Sequence, residues 1–415
     1  MSAFTTGARQ AEAALRDLFP ATPLQRNEML SGLYDADIWL KREDLSPVRS
    51  YKIRGAFNAM RKHLAQNPEA KRFVCASAGN HAQGFAFACQ HFGVDGTVFM
   101  PVTTPQQKIE KTRVFGGENI SIELTGDYFD QTLTTAKLFC EKEGASFLPP
   151  YDSDDIIEGQ ASVAVEALEQ LGRAPDLVVV PVGGGGVSAG IAKYLADEAP
   201  ETELRFVEPT GAPSLQTALK QGELVTLNAV DNFVDGASVA RIGNANFEVL
   251  KRFSAEHCLD VPENRICQTM LTMLNHEGIV LEPAGALTVD VLQDLRDEIR
   301  GKTVICVVSG GNFDFERLPE VKERAMRYSG TKKYFIIRFP QRPGALRDFL
   351  HLLGPNDDVA RFEYLKKSAR NFGSVLLGVE TDDASNFPGL EARMEAAGFS
   401  YIDITDNDTI TGLIV

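Results

Sequence analysis

At 415 residues, with 44% hydrophobic and 24% charged side chains, the chain is long enough for two or three compact units with real cores. A formal net charge of −15 argues against nucleic acid as a partner, because phosphate binding needs clustered Lys and Arg. No run of about eighteen apolar residues is present to span a membrane, and the opening MSAFTTGARQAEAALRDLF has no basic region followed by an apolar core. The expected setting is the cytoplasm. Cys75, Cys89, Cys140, Cys258, Cys267 and Cys306 show no metal-like spacing, and several fall in apolar runs such as FVCAS. Buried reduced thiols and no metal site are expected.

Along the chain, the first distinctive segment is RSYKIRGA, Arg49 to Ala56, where Lys52 lies between Tyr51 and Ile53. A lysine desolvated there would lose its proton readily and become a nucleophile; an ordinary solvated lysine at a helix start is the plainer reading. RFVCAS then reads as a strand, HAQGFAFACQHFG as a helix closed by glycine, TVFMPV as a strand and PQQKIEKTRVFGG as a helix. NISIEL is a strand, DYFDQTLTTAKLFCEKEG a helix, and the strands DLVVVPV and LRFVEP bracket the helix GVSAGIAKYLADEA. TVICVVSGGN adds a further buried strand. Apolar strands between amphipathic helices predict an α/β unit with parallel sheets covered on both faces, running over residues 1–320.

Charge-rich LPEVKERAMRYSGTKK reads as a last helix and a linker, the linker taken as residues 321–332. From residue 333 to 415 the order changes to strand KYFIIRFP, helix RPGALRDFLHLLG, strands VARFEYLKKS and GSVLLGVET, helix ASNFPGLEARMEAAGF and strand SYIDIT. That βαββαβ order predicts an α+β ferredoxin-like domain.

Three loops carry chemistry. In VVVPVGGGGVSAG a strand runs through Gly183, Gly184, Gly185 and Gly186 into a helix. Bare backbone N–H groups at a helix start make a phosphate cradle, although the spacing is neither that of a nucleotide P-loop nor closely that of a dinucleotide site. In SAGNHAQG, Ser77 to Gly84, small residues expose N–H groups for a carboxylate, and Asn80 offers an amide to a phenolate-type oxygen. His81 reads equally as a structural helix-start histidine. In VVSGGN, Ser309 ends a buried strand, at the sheet edge where α/β folds bind ligands.

Taken in order, SYKIRGA, SAGNHAQG, GGGG and SGGN resemble the fold type II (tryptophan synthase β-like) pyridoxal-phosphate enzymes, and most closely the biosynthetic threonine dehydratases with one ACT-like C-terminal domain. WLKREDLSPVRSYK and EPAGA, Glu282 to Ala286, extend the resemblance over nearly the whole chain. It implies that Lys52 binds the cofactor covalently and then serves as base. It implies Asn80 on the ring oxygen, Gly183 to Gly186 and the Val187 N–H on the phosphate, and Ser309 at the pyridine nitrogen. Ser77, Ala78, Gly79 and His81 would bind substrate. The implied reaction is deamination of L-threonine to 2-oxobutanoate and ammonia by loss of water, with L-serine a poorer substrate. The implied state is a homotetramer, and the implied allosteric inhibitor is L-isoleucine, with Phe362 and Tyr364 of ARFEYLKKS as effector-site candidates.

Two departures separate the chain from relatives. Serine racemases of this fold carry a hydroxyl residue where Ala78 stands, which disfavours racemisation. Metal-dependent relatives have an acidic residue six positions after the glutamate of VEP, whereas Glu208 is followed there by Ser214. No dedicated acid for the leaving hydroxyl is visible, so the cofactor phosphate is the candidate donor. A catabolic serine/threonine dehydratase without isoleucine control, a β-replacement enzyme and a non-catalytic amino-acid sensor are the alternatives.

Overall fold

A computed structural model describes residues 2–365 and 371–407. The chain divides between Asp314 and Phe315 into two compact units. The first contains β1 (Leu24–Arg26), β2 (Asp37–Arg42), β3 (Arg72–Ala76), β4 (Asp95–Met100), β5 (Ile120–Leu124), β6 (Ser146–Phe147), β7 (Leu177–Pro181), β8 (Glu203–Pro209), β9 (Cys258–Val261) and β10 (Thr303–Val308). They form a six-stranded sheet of order β1-β2-β10-β7-β8-β9 and a four-stranded sheet of order β5-β4-β3-β6. Every pairing is parallel except that of β1 with β2.

Burial on both faces explains the unbroken apolar runs: every residue of β7 and of β10 is buried. The larger sheet packs Val178, Val180 and Phe206 against Ile157, Ala161 and Ile191 of the helices Asp154–Leu171 and Gly186–Glu198. The smaller one packs Phe73, Cys75 and Val98 against Phe85 and Cys89 of the helix Asn80–Phe92. That helix ends at Gly93 with φ 63°, where a left-handed residue closes it. β3, β7 and β10 all deliver a loop at their C-terminal ends, namely Ser77–Gly79, Gly183–Gly185 and Ser309–Asn312.

The second unit opens with a single 3-10 turn, Phe315–Arg317, and the helix Leu318–Tyr328, followed by β11 (Lys332–Pro340), the helix Ala345–Leu350, β12 (Asp357–Leu365), β13 (Phe372–Thr381), the helix Asn386–Ala396 and β14 (Ser400–Asp403). The sheet is antiparallel, of order β12-β13-β11-β14. The predicted βαββαβ order is present, and Val375, Leu377 and Val379 alternate inward to meet Phe335, Phe349, Phe387 and Leu390. Residues 366–368, which end ARFEYLKKS, and residues 408–415 lie outside the described residues.

No described helix is long and apolar enough to cross a membrane. All six cysteines are free and buried.

Candidate active site

Lys52 is the first residue of the helix Lys52–Gln66. The backbone before it is fixed by the loop after β10. Tyr51 N–H donates to Ser309 O at 3.1 Å, Gly311 N–H donates to Arg49 O at 3.0 Å, and Ser50 bridges Gly310. Arg49 adopts the left-handed region, φ 60°, to make that fit. The Lys52 amine donates to Pro150 O at 3.0 Å and lies 5.3 Å and 5.8 Å from the Tyr51 and Tyr151 ring centres. Although part of the side chain's surface is open, protein surrounds the amine. Burial pulls its pKa from 10.5 to about 8, and the nearby Glu282 carboxyl only partly opposes this.

The phosphate-type cradle follows β7. A β-carbon on Gly184 would collide with the Tyr151 ring, and Gly185 has φ 90°. Asn246 Nδ2 holds Gly184 O at 2.6 Å, and Gly243 N–H donates to the same oxygen at 3.1 Å. The helix Gly186–Glu198 starts there and directs its first N–H groups and dipole at whatever anion sits in the loop. Val187 is buried in the core, which leaves its N–H as the part able to serve a ligand.

After β3, Gly79 N–H bonds Ser77 Oγ at 3.2 Å, and Ala78 packs on the smaller core. His81 is buried, and its ring Nε2 meets Leu148 O at 3.2 Å. Burial, and then the Lys52 charge, push its pKa to about 3, so it is neutral. Facing a carbonyl, Nε2 is the protonated nitrogen. The structural histidine bond foreseen as an alternative is therefore made. Asn80 is fixed at both ends: Oδ1 accepts from Asn312 Nδ2 at 2.7 Å, and Nδ2 donates to Glu282 Oε1 at 2.7 Å. Ser309 is buried at the end of β10.

Lys52, the Ser77–His81 loop, the glycine loop and Ser309 thus meet in one place. Phe362 and Tyr364 belong to β12 of the second unit. Sequence reasoning left out Glu282, Asn312, Tyr151 and Asn246. Of these, Glu282 had a readable signal, as a lone carboxylate within the apolar run GIVLEPAGAL.

Glu208 is occupied elsewhere. Its carboxylate accepts the N–H groups of Leu215 at 2.7 Å and Gln216 at 2.9 Å, and Ser214 Oγ lies at 3.4 Å. Among the described residues, no three His, Cys, Asp or Glu side chains are grouped to hold a metal.

The donor set fits pyridoxal phosphate: an enclosed amine would take its aldehyde, a glycine loop with no room for a β-carbon at Gly184 would hold its phosphate, and the oriented Asn80 amide would serve the ring.

Comparison with known proteins agrees. Residues 15–310 match the family model of pyridoxal-phosphate dependent enzymes, and residues 323–414 match that of the C-terminal regulatory domain of threonine dehydratase. The chain is 44% identical over 407 residues to the biosynthetic L-threonine dehydratase of Bacillus subtilis, covering 98% of this chain and 96% of that one. Identity to the Lactococcus lactis enzyme of the same name is 43% over 405 residues, covering 97% of each. The processed threonine deaminase isoform 2 of Solanum lycopersicum superposes with a TM-score of 0.72 at 34% identity, over 78% of this chain and 94% of that one. The chain belongs to the pyridoxal-phosphate-dependent enzymes, in the biosynthetic threonine dehydratase family that carries a single C-terminal regulatory domain.

Proposed function

We propose that the protein deaminates L-threonine to 2-oxobutanoate and ammonia, at the committed step of isoleucine synthesis, under allosteric inhibition by L-isoleucine. The observation that carries the reading is the enclosed Lys52 amine, its pKa pulled down to about 8, facing the Tyr151 ring that also abuts Gly184 of the glycine loop. Pyridoxal phosphate, when bound, supplies the electron sink that acidifies the substrate's Cα–H bond. Lys52 would hold the cofactor's aldehyde carbon, and its amine, when free, would take the substrate's Cα proton. Gly183 to Gly186 and the Val187 N–H would hold the phosphate, and Asn80 would hold the ring oxygen. The Ser77–Gly79 turn, with Ala78 and the neutral His81 beside it, receives the substrate carboxylate. Ser309 would stand at the ring nitrogen, where a hydroxyl cannot stabilise a positive charge as a carboxylate would, a setting suited to prompt loss of the β-hydroxyl. Ala78 offers no hydroxyl to return a proton to the opposite face.

Residues 1–320 would carry catalysis and 333–415 regulation, joined by 321–332, in a cytoplasmic homotetramer that also accepts L-serine more slowly. The test is 2-oxobutanoate release from L-threonine, with and without L-isoleucine. Turnover suppressed by isoleucine supports both halves of the reading. Turnover indifferent to isoleucine favours the catabolic dehydratase, and no keto acid from cofactor-loaded protein overturns the lyase.

A further inference from the structure

One carboxyl in the site is left unassigned by the reading above. Glu282 precedes the helix Pro283–Asp290, yet its side chain does not cap that helix. It turns instead into the site, where its Oε1 accepts the Asn80 amide N–H at 2.7 Å. The position is built rather than incidental. Glu282 is 6% exposed, and a β-carbon on Gly310 would collide with its Oε1, so the carboxyl lies directly on the backbone beyond Ser309. Asn312 locks the other end of the same amide, and its Nδ2 also lies within reach of Gln83 Oε1 at 3.0 Å and Val48 O at 2.8 Å. An amide nitrogen has two N–H groups. With one committed to Glu282, the second has a fixed direction and is left for a ligand.

The charges around Glu282 come from four segments. Lys52 and Tyr51 face it from the lysine segment, Lys108 and Lys111 from the helix Gln106–Gly116, Asp235 from the loop before Gly236, and the Asn312 N–H from the loop after β10. Lys108 and Asp235 form an ion pair with each other and act on Glu282 in opposite senses, Asp235 the more strongly. Burial is the main influence. It raises the Glu282 pKa from 4.5 to about 7, so the group exchanges its proton near neutrality.

We propose that Glu282 is a positioning residue for the cofactor: its carboxyl aims the Asn80 amide at the ring oxygen, and its proton occupancy sets how firmly that oxygen is held. The proposal rests on the pyridoxal-phosphate reading above. An ionised Glu282 repels an anionic ring oxygen across the Asn80 bridge. A protonated Glu282 does not, and the change alters the electronic balance of the bound ring. Glu282 acts through Asn80 and has no assigned contact with substrate.

The experiment compares wild type, Glu282→Gln and Glu282→Ala as holoenzymes. The visible absorbance of the bound cofactor is followed across about one unit either side of pH 7, and cofactor affinity is measured by titration. Wild type is expected to show a spectral transition in that window. Glu282→Gln, which keeps an oxygen for Asn80 but cannot ionise, is expected to bind cofactor and to lose the transition. Glu282→Ala, which frees the amide, is expected to bind cofactor about tenfold more weakly. A Gln variant whose spectrum still titrates like wild type overturns the proposal while leaving the function reading intact. So does an Ala variant with unchanged affinity. Wild type that takes up no pyridoxal phosphate overturns the function reading and this proposal with it.

Discussion

The Lys52 amine donates to the Pro150 carbonyl oxygen across 3.0 Å, a neutral acceptor that cannot cancel its charge. The consequence is measurable in cofactor-free protein. Burial lowers the Lys52 pKa from 10.5 to about 8, which at 1.36 kcal/mol per pH unit is a penalty of up to about 3 kcal/mol. Below pH 8 both folded and unfolded chains carry the proton, and the penalty is fully present. Between pH 8 and 10.5 the unfolded chain binds more protons than the folded one, so stability rises with pH and the penalty disappears. Lys52→Met should therefore stabilise the apo-protein at pH 7 by up to about 3 kcal/mol, with the gain gone near pH 10.5. Urea unfolding at the two pH values reads this directly. The same variant should have no turnover and should fail to form a borohydride-stable adduct with the cofactor.

Arg54, two positions further along the same helix, holds the lysine segment from behind. It is fully buried and donates to Glu43 and Glu166 at 2.7–2.8 Å, to Thr22 Oγ1 at 2.9 Å and to Ser162 Oγ at 3.0 Å. Lys41, also buried, completes the cluster at 2.6 Å from Glu166. Arg54→Met removes the shared counter-charge from two buried carboxylates and should destabilise by about 3–5 kcal/mol. Arg54→Lys lacks the planar fork and should recover little of that loss. Denaturation midpoints check both, and turnover should fall with them because Lys52 loses its anchorage.

This cluster also shows why part of the fold was hidden from the sequence. β3, β7 and β10 were readable because each is an apolar run bounded by glycine or small polar residues. β2, DIWLKR, ends in Lys41 and Arg42, which look like solvated charges until Glu166 and Asp44 are brought against them. The glycine loop was legible because only backbone fits there. Asn312 and Asn246 were not, since each matters through bonds to residues distant in sequence, among them Asn80 and Gly184 O respectively. In the second unit the βαββαβ order of the elements was legible, and the alternating burial along β13 is that of an antiparallel strand covered on one face.

Gly184→Ala tests the cradle. The added methyl meets the Tyr151 ring, and the displaced loop would strain the Asn246 Nδ2 bond to Gly184 O. Cofactor affinity should fall by about tenfold to a hundredfold, the equivalent of one hydrogen bond to a charged group. The threonine KM of protein saturated with cofactor should move much less. Equilibrium titration with pyridoxal phosphate, followed by steady-state kinetics at saturating cofactor, separates the two effects. Equal losses in both would mean that the loop serves substrate rather than phosphate.

The second unit offers the test of regulation. Phe362 and Tyr364 sit on the edge strand β12, in register with Leu377 and Val375, with ring centres 6.2 Å and 6.4 Å from Phe339. Phe362 is half-buried against the core, whereas Tyr364 is 41% exposed and free to meet a small apolar amino acid at the sheet edge. Tyr364→Ala should raise the isoleucine concentration for half-inhibition by about tenfold, the size of a lost aromatic contact. Phe362→Ala should do the same and also lower the stability of the second unit, because its ring packs on Phe339. Because coupling between sites is reciprocal, a variant that binds isoleucine less tightly in the inhibited state must also report weaker inhibition. Calorimetric binding and inhibition curves must therefore shift together. Unchanged isoleucine binding in both variants would place the effector pocket away from β12.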